Sequence, residues 1–398
     1  MNRGAWHQCG DKSQKLVIEQ LEAGHGAGVI LSPRDLTRDK AVEYTAQYAA
    51  LHAPVLIDPQ FYVPDFTNDN LDTYGLSAFR TTLATLGQIT DVELSALSTE
   101  LETLGSELGV WAVVAPAAMY EAGRPDIAEL NARLFAAAKS AGDALGLPTL
   151  ASVTLARSVT GWNATVVAAV DAATALPADG WYYAFEFEEE RIPSSREAVR
   201  RCCDAGLSLA LTGKPVLHAY AGPMGLLSYG FGAAATGIGH SQNLWKFTRQ
   251  RWEAPTGQGG GGDAPARFFS KALWGTVVYP DETQQMNATL RAQVLTATSF
   301  CNAVVATPPT AWSRWDAGKH LVCALAETYA ELAALPTARV SAATAGQRLA
   351  DAVALYGQIR LSGLQPKDSS DAYQENWRLA LSDVLSSRSA DYDFLELL

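Results

Sequence analysis

A chain of 398 residues, 48% hydrophobic and 18% charged, is long for one domain, comfortable for two, and able to build a large core. Its formal net charge of −12 opposes attachment of the whole surface to nucleic acid or to an anionic membrane. No apolar run approaches the roughly 20 residues that span a bilayer, and the N-terminal MNRGAWHQCGDKSQKL lacks an apolar signal-peptide core, so a soluble, cytoplasmic protein with no membrane partner is expected.

In chain order, a helix over about Ser13–Ala23, ended by Gly24 and Gly26, precedes the first of seven short apolar runs. These are Gly28–Arg34, Val55–Phe61, Val110–Pro116, Thr149–Leu155, Trp181–Glu188, Val216–Gly222 and Thr236–Ser241, and nearly all end in a polar or ionisable residue. Between them lie helical patterns: Thr37 to about His52, at least two helices within Tyr62–Leu108 with Thr90 capping the second, Arg124–Leu145, Asn163–Leu176, Ser195–Leu211 and the short Leu226–Ala235. The alternation predicts an α/β fold, a TIM-type (β/α) barrel of seven or eight strands. Either Leu273–Tyr279 supplies the eighth strand or the barrel is incomplete.

The barrel is expected to occupy residues 1–280, including a basic, aromatic, Gly-rich insertion at 241–272 with a Gly257–Gly262 linker. An appended helical domain, 281–398, follows, with helices over Glu282–Ala306, Trp315–Leu335, Ser341–Leu361 and Asp371–Ser386 broken by Thr307–Thr310 and Leu364–Asp368. Its acidic end, Asp391–Leu398, fits either a docking role or disorder. The five cysteines, an odd number with no Cys-x-x-Cys, speak against a disulfide framework and a structural zinc site. Cys202 and Cys203 read as half-buried thiols in a helix.

Strand side chains alternate, and barrel active sites lie at the C-terminal strand ends. With the apolar phase turned to the helix layer, Ile30, Ser32 and Arg34 face inward from the first run and Leu56 and Asp58 from the second. Tyr182, Ala184, Glu186 and Glu188 do so from the fifth, and Val216, His218 and Tyr220 from the sixth. Candidate catalytic residues are thus Asp58, Glu186, His218 and His240. Each also has a plain structural reading: Asp58 as a turn cap before Pro59, His218 as a hydrogen-bonded core histidine, Glu188–Glu190 as a solvated loop. Glu186 is expected either to pair with Arg34 or to act as an acid–base group of raised pKa. The spacing of the four candidates carries no metal signature, and no cofactor can be named.

Two glycine turns, Gly222-Pro223-Met224-Gly225 and Thr236-Gly237-Ile238-Gly239-His240-Ser241, resemble anion cradles built from backbone N–H groups. Candidate substrate-binding residues are Arg34, Gln60, Tyr220, Gly222, Gly225, Gly239 and Ser241. The segment His240–Lys271 runs against the acidic balance of the chain. Lys246, Arg249, Arg251, Arg267 and Lys271 are opposed only by Glu253 and Asp263, and interleave with Trp245, Phe247, Trp252, Phe268 and Phe269. With Trp245 they form a candidate nucleic-acid surface.

Leu217–Arg249 resembles, in layout, a stretch of the tRNA-guanine transglycosylase superfamily of barrel enzymes: a glycine-turned strand, a helix opening Leu-Leu, a glycine strand and a basic loop. Val55–Phe61 is similar to that family's second-strand motif, with Asp58 in the place of its aspartate. The resemblance covers about a fifth of the chain. The family's Ser-Gly-Gly-Phe after that aspartate is replaced by Pro59-Gln60-Phe61-Tyr62, its later nucleophilic aspartate by Gly239-His240-Ser241, and its cysteine-rich zinc site is missing.

Three functions follow. The first is a transferase or hydrolase acting on a nucleotide or nucleic-acid base, cleaving or exchanging an N-glycosidic bond. The second is a hydrolase or lyase of a small phosphorylated or sugar substrate, with the basic segment as a lid. The third is a non-catalytic scaffold that binds a protein partner through the helical region.

Overall fold

The computed structural model describes residues 1–10, 12–66, 68–86, 89–158, 164–187, 192–241, 244–252, 266–301, 312–364, 366 and 372–398. The Gly257–Gly262 linker, Glu188–Glu190, Glu253, Asp263 and the Thr307–Thr310 break lie outside these residues.

Eight parallel strands form a nearly closed barrel: β1 Gly4–Gln8, β2 Gly28–Leu31, β3 Val55–Ile57, β4 Val113–Val114, β5 Thr149–Leu155, β6 Gly180–Phe185, β7 Val216–His218 and β8 Ala235–Ile238. Their order is β3-β2-β1-β8-β7-β6-β5-β4. Where the ends meet, the Trp111 amide donates to the Val55 carbonyl at 2.8 Å. Every strand residue is buried, as parallel strands sandwiched between a helix layer and a filled interior must be.

The eighth strand is not the expected one. β1 (GAWHQ) inserts between β2 and β8, with His7 opposite Val29 and Ile238. Its His and Gln hide it from an apolar-run search. The segment Leu273–Tyr279 instead contributes β10, Gly275–Val278, which pairs antiparallel with β9, Arg267–Ser270, in a hairpin outside the barrel.

The helices are α1 Gln14–Glu22, α2 Arg38–Ala50, α3 Asp69–Asp72, α4 Ser77–Leu86, α5 Asp91–Leu108, α6 Asp126–Leu145, α7 Ala164–Thr174, α8 Arg196–Ala210 and the four-residue α9 Gly225–Ser228. Thr90 and Glu93 complete a capping box on α5, and Gly109 and Gly146 end α5 and α6 in the left-handed conformation.

Beyond the hairpin come α10 Asp281–Gln284, α11 Ala288–Val294, α12 Arg314–Ala333, α13 Ala338–Leu361, α14 Ala372–Ser387 and α15 Ser389–Leu395. The expected helix Glu282–Ala306 is broken, because Asn287 leaves the helix and caps α11 through the Leu290 amide at 2.9 Å.

α12 to α14 bury Leu321, Tyr329, Leu349, Trp377 and Leu381 in the same apolar core as the barrel strands. Trp377 Nε1 donates to the Pro193 carbonyl at 2.6 Å, and Arg196 forks onto Asp383 at 2.7 and 2.9 Å. The acidic end is neither disordered nor free. It forms α15, whose buried Tyr392 donates to the Gly230 carbonyl at 2.8 Å, while Arg339 pairs with Asp393. A smaller core under the hairpin joins Phe268, Val277 and Trp312 to Ile359 of α13. Among the described residues, no helix is long and apolar enough to cross a membrane.

Candidate active site at the barrel mouth

The inward phase of β2, β3 and β6 brings Ser32, Asp58 and Tyr182 together at the C-terminal end of the barrel, with Asp58 only 1% exposed. One carboxylate oxygen of Asp58 accepts from the Tyr182 hydroxyl at 2.9 Å and the Tyr220 hydroxyl at 3.0 Å; the other accepts from the Gln60 amide at 3.1 Å. Burial raises the Asp58 pKa above the ordinary carboxylate value, against the hydrogen bonds from Tyr62, Tyr182, Tyr220 and the Gln60 amide that favour the charged form. The phenols of Tyr62, Tyr182 and Tyr220 are pushed upward, by burial first and the Asp58 charge second. Among the described residues, Asp58 is the carboxylate of this cluster, and its upward-shifted carboxyl suits it to proton transfer.

Gln60 links this layer to the next. Its side-chain nitrogen donates to the Ser32 hydroxyl at 2.8 Å and its carbonyl oxygen accepts from the Arg34 amide at 3.0 Å. Both Gln60 (φ 60°) and Tyr220 (φ 51°) adopt the left-handed backbone that non-glycine residues avoid. Such outliers persist only where the surroundings hold them. Two holders are visible here. The buried Arg80 guanidinium binds the carbonyls of Gln60, Val63 and Phe66, and Gln8 of β1 accepts from the Tyr220 amide at 2.8 Å.

Residues 244–252 of the basic, aromatic segment fold as a strap over this mouth. Trp245 Nε1 donates to the Gly239 carbonyl at 3.2 Å, and the Phe247 carbonyl accepts from the Phe187 amide at 3.0 Å. The Phe247 ring packs edgewise on Tyr62 and Tyr220, with centroids 5.0 and 5.5 Å away. Arg249 Nε meets Glu186 Oε1 at 3.0 Å and pairs also with Glu121. Arg251 pairs with Asp35 and lies over the Tyr220 and Trp252 rings at 5.5 and 5.4 Å. Arg34 also meets Asp35, at 3.2 Å, and stacks between Phe66 and Trp252 at 5.4 and 5.6 Å. Two guanidinium groups thus share one carboxylate. Arg34 Nε and Arg251 Nε and Nη1 are buried and meet no acceptor among the described residues. Burial, then the charge of Arg251, lowers the Arg34 pKa.

Several expectations are corrected here. Glu186 pairs with Arg249, not Arg34, and its second oxygen accepts from the Arg157 amide at 2.9 Å. His218 faces the helix layer. It stacks on Tyr183 at 5.3 Å, its Nδ1 meets Ser228 Oγ at 2.7 Å, and it lies 3.8 Å from Cys202 Sγ. The left-handed turn at Tyr220 breaks the alternation, so Tyr220 enters the mouth while His218 does not. His240 packs beside Gly318 of α12.

The glycines are close-packing positions rather than cradles. A Cβ on Gly222 would lie 2.5 Å from Trp245 Cα, one on Gly225 would meet Thr236 and Tyr329, and one on Gly239 would meet Leu244; Ser241 caps the strap turn by accepting from the Leu244 amide at 2.9 Å. Trp245, Lys246, Phe247, Arg251 and Trp252 are all buried, so they present no open stacking surface. Arg267 opens the β9 hairpin, and Lys271 pairs with Glu327 at 3.0 Å toward the opposite rim of the barrel. Cys202 and Cys203 are fully rather than half buried.

Tyr62, Asp35, Arg80 and Gln8 belong to the site without having been singled out. None of the four carries a local sequence signal; Gln8 lies in the strand whose own polar residues mask it. No protein-family model matches the chain, and no curated protein matches it in sequence.

Proposed function

We propose that the barrel mouth is the active site of an enzyme acting on a small substrate with a phosphate or carboxylate group, the second of the expected functions. The carrying observation is the pair Arg34 and Arg251, which together hold one more charge than Asp35 balances and retain buried donors. A planar guanidinium fork matches an oxyanion with two donors. The anion would sit beside Arg251, and the reacting bond would point inward to Asp58, which serves as general acid or base while the Tyr182 and Tyr220 hydroxyls hold it in place. The strap would act as the lid, since its Phe247 and Trp252 rings pack over Tyr62 and Tyr220 above Asp58.

A second reading keeps N-glycosidic chemistry on a mononucleotide, in line with the resemblance to tRNA-guanine transglycosylases. The half-buried Phe66 ring favours it, because it is open enough for a base to pack against once Arg34 turns to the phosphate. In either reading the phosphate binds the same two arginines.

Titration with orthophosphate, sugar phosphates and nucleoside monophosphates, read by thermal shift and calorimetry, tests the proposal. Binding by the wild-type chain, weakened about tenfold or more in Arg251→Gln and retained without turnover in Asp58→Asn, supports it. The same response in Arg251→Gln and Arg34→Gln as in the wild type overturns it. Selectivity for nucleotides over sugar phosphates selects the second reading.

A further inference from the structure

A second constellation lies at the opposite, N-terminal rim of the barrel. The turn between α1 and β2 carries His25 between Gly24 and Gly26, both with positive φ (79° and 122°). A Cβ on Gly26 would collide with the His7 ring, whose Nε2 bonds the His25 carbonyl at 2.7 Å. The backbone of this turn is thus fixed by glycines and by a buried residue of β1. Facing it on α12, Cys323 and Glu327 stand one helical turn apart on the same face.

The three side chains converge. Cys323 Sγ lies 3.5 Å from Glu327 Oε1, and His25 Nε2 lies 3.9 Å from Cys323 Sγ and 4.0 Å from Glu327 Oε1. A tetrahedral ion with bonds of about 2.0–2.3 Å requires ligand–ligand edges of roughly 3.3–3.8 Å, so a small inward turn of the His25 ring closes the set. Ser299 Oγ stands 2.9 Å from His25 Nε2, 2.7 Å from Glu327 Oε1 and 3.4 Å from Cys323 Sγ, close to a fourth vertex. Lys271 meets the other Glu327 oxygen at 3.0 Å and the Ser299 amide donates to Oε1 at 2.8 Å, orienting the carboxylate as ligands in metal sites are oriented. A cleft of about 580 Å³, lined by Arg3, His25, Glu327 and Glu331, gives access from solvent.

We infer that His25, Cys323 and Glu327 bind a divalent cation of zinc type, with Ser299 or a solvent oxygen in the fourth position. The donor set of one sulfur, one nitrogen and one oxygen selects a borderline-soft ion over magnesium or calcium. Thiolate, carboxylate and the Lys271 ammonium leave one net negative charge to receive it. Binding displaces the Cys323 Sγ proton to solvent. Glu327 is held toward the site by hydrogen bonds from Ser299 and by Lys271. The ion would pin α12 to the α1–β2 turn, on the barrel face where stability rather than chemistry resides.

The full chain, stripped with a chelator and titrated with Co²⁺, is followed by the thiolate-to-cobalt charge-transfer absorption, and Zn²⁺ competition gives the affinity. One equivalent is expected, with the band present in Cys301→Ser, absent in Cys323→Ser, and binding weakened roughly 10–100-fold in Ser299→Ala. Because Cys323 sits in a packed helix, His25→Ala on the exposed turn provides a second reading. Zn²⁺ is expected to raise the melting temperature of the wild type but not of this variant. No thiolate band in the wild type, an undiminished band in Cys323→Ser, or an equal zinc-induced shift in His25→Ala overturns the inference.

Discussion

Arg249 Nε lies 3.0 Å from Glu186 Oε1, which ties the middle of the strap to the residue just beyond β6. The carboxylate is 2% exposed and its other oxygen is taken by the Arg157 amide at 2.9 Å, whereas the guanidinium is 38% exposed and divides itself between Glu186 and Glu121. Glu186 is therefore a fastening for the strap.

Glu186→Ala is expected to cost about 1–3 kcal/mol, because it leaves the Arg157 amide and part of the Arg249 fork without a buried acceptor. Urea unfolding measures the loss. Limited proteolysis should show faster cleavage within 244–252 than in the wild type, and equal cleavage rates would rule out the fastening role.

Tyr220→Phe removes one of two phenol donors from the same Asp58 oxygen. That bond favours the charged carboxylate, so its loss is expected to raise the Asp58 pKa further, at a stability cost of about 0.5–1.5 kcal/mol. A carboxyl-carbon NMR titration reads the direction, and a downward shift would contradict the geometry.

Three buried histidines make the fold acid-sensitive. Burial lowers His218 from 6.5 to about 3, and His7 and His320 to about 4. The unfolded chain binds these protons first, so the stabilisation is complete above pH ~6.5 and is lost as pH falls toward the folded values, with a slope of at most about 1.4 kcal/mol per pH unit for each histidine. His218→Gln should reduce the slope of unfolding free energy between pH 6.5 and 4. An unchanged slope would mean that His218 is not buried neutral.

Gly222→Ala strains a backbone at φ 45° and places a methyl 2.5 Å from Trp245 Cα. A destabilisation of about 1–3 kcal/mol is expected, together with weaker phosphate binding as the strap is pushed outward. Melting temperature and anion titration together check it, and a variant as stable as the wild type would place the strap elsewhere.

The alternation of short apolar runs made the barrel and much of its mouth legible in the sequence. Ser32, Asp58 and Tyr182 stand where period-two alternation puts them. His218 lies in the outward phase with Tyr183, and Tyr220 reaches the mouth only through its left-handed turn, which the Gln8 side chain of β1 meets at the Tyr220 amide. β1 was illegible since His7 and Gln8 interrupt its apolar pattern. The partner of Glu186 could not be read either, because nothing local distinguishes Arg34 from Arg249 as the cation that reaches it. Most of the strap's basic residues and aromatics were noticed as unusual chemistry, but composition cannot tell an open binding surface from a packed lid.

The place of β1 also bears on how the barrel is assembled during synthesis. β1 hydrogen-bonds to β2, made soon after it, and to β8, made only when nearly all the other barrel strands exist. Half of its ladder is therefore unavailable to a nascent chain, and loop closure over that distance is slow compared with local pairing. Until β8 arrives, β1 and β7 each present an open edge, the kind of surface that recruits other strands. Ring closure is the late event that removes both edges at once and creates the mouth, because Gln8 reaches Tyr220 only in the closed barrel.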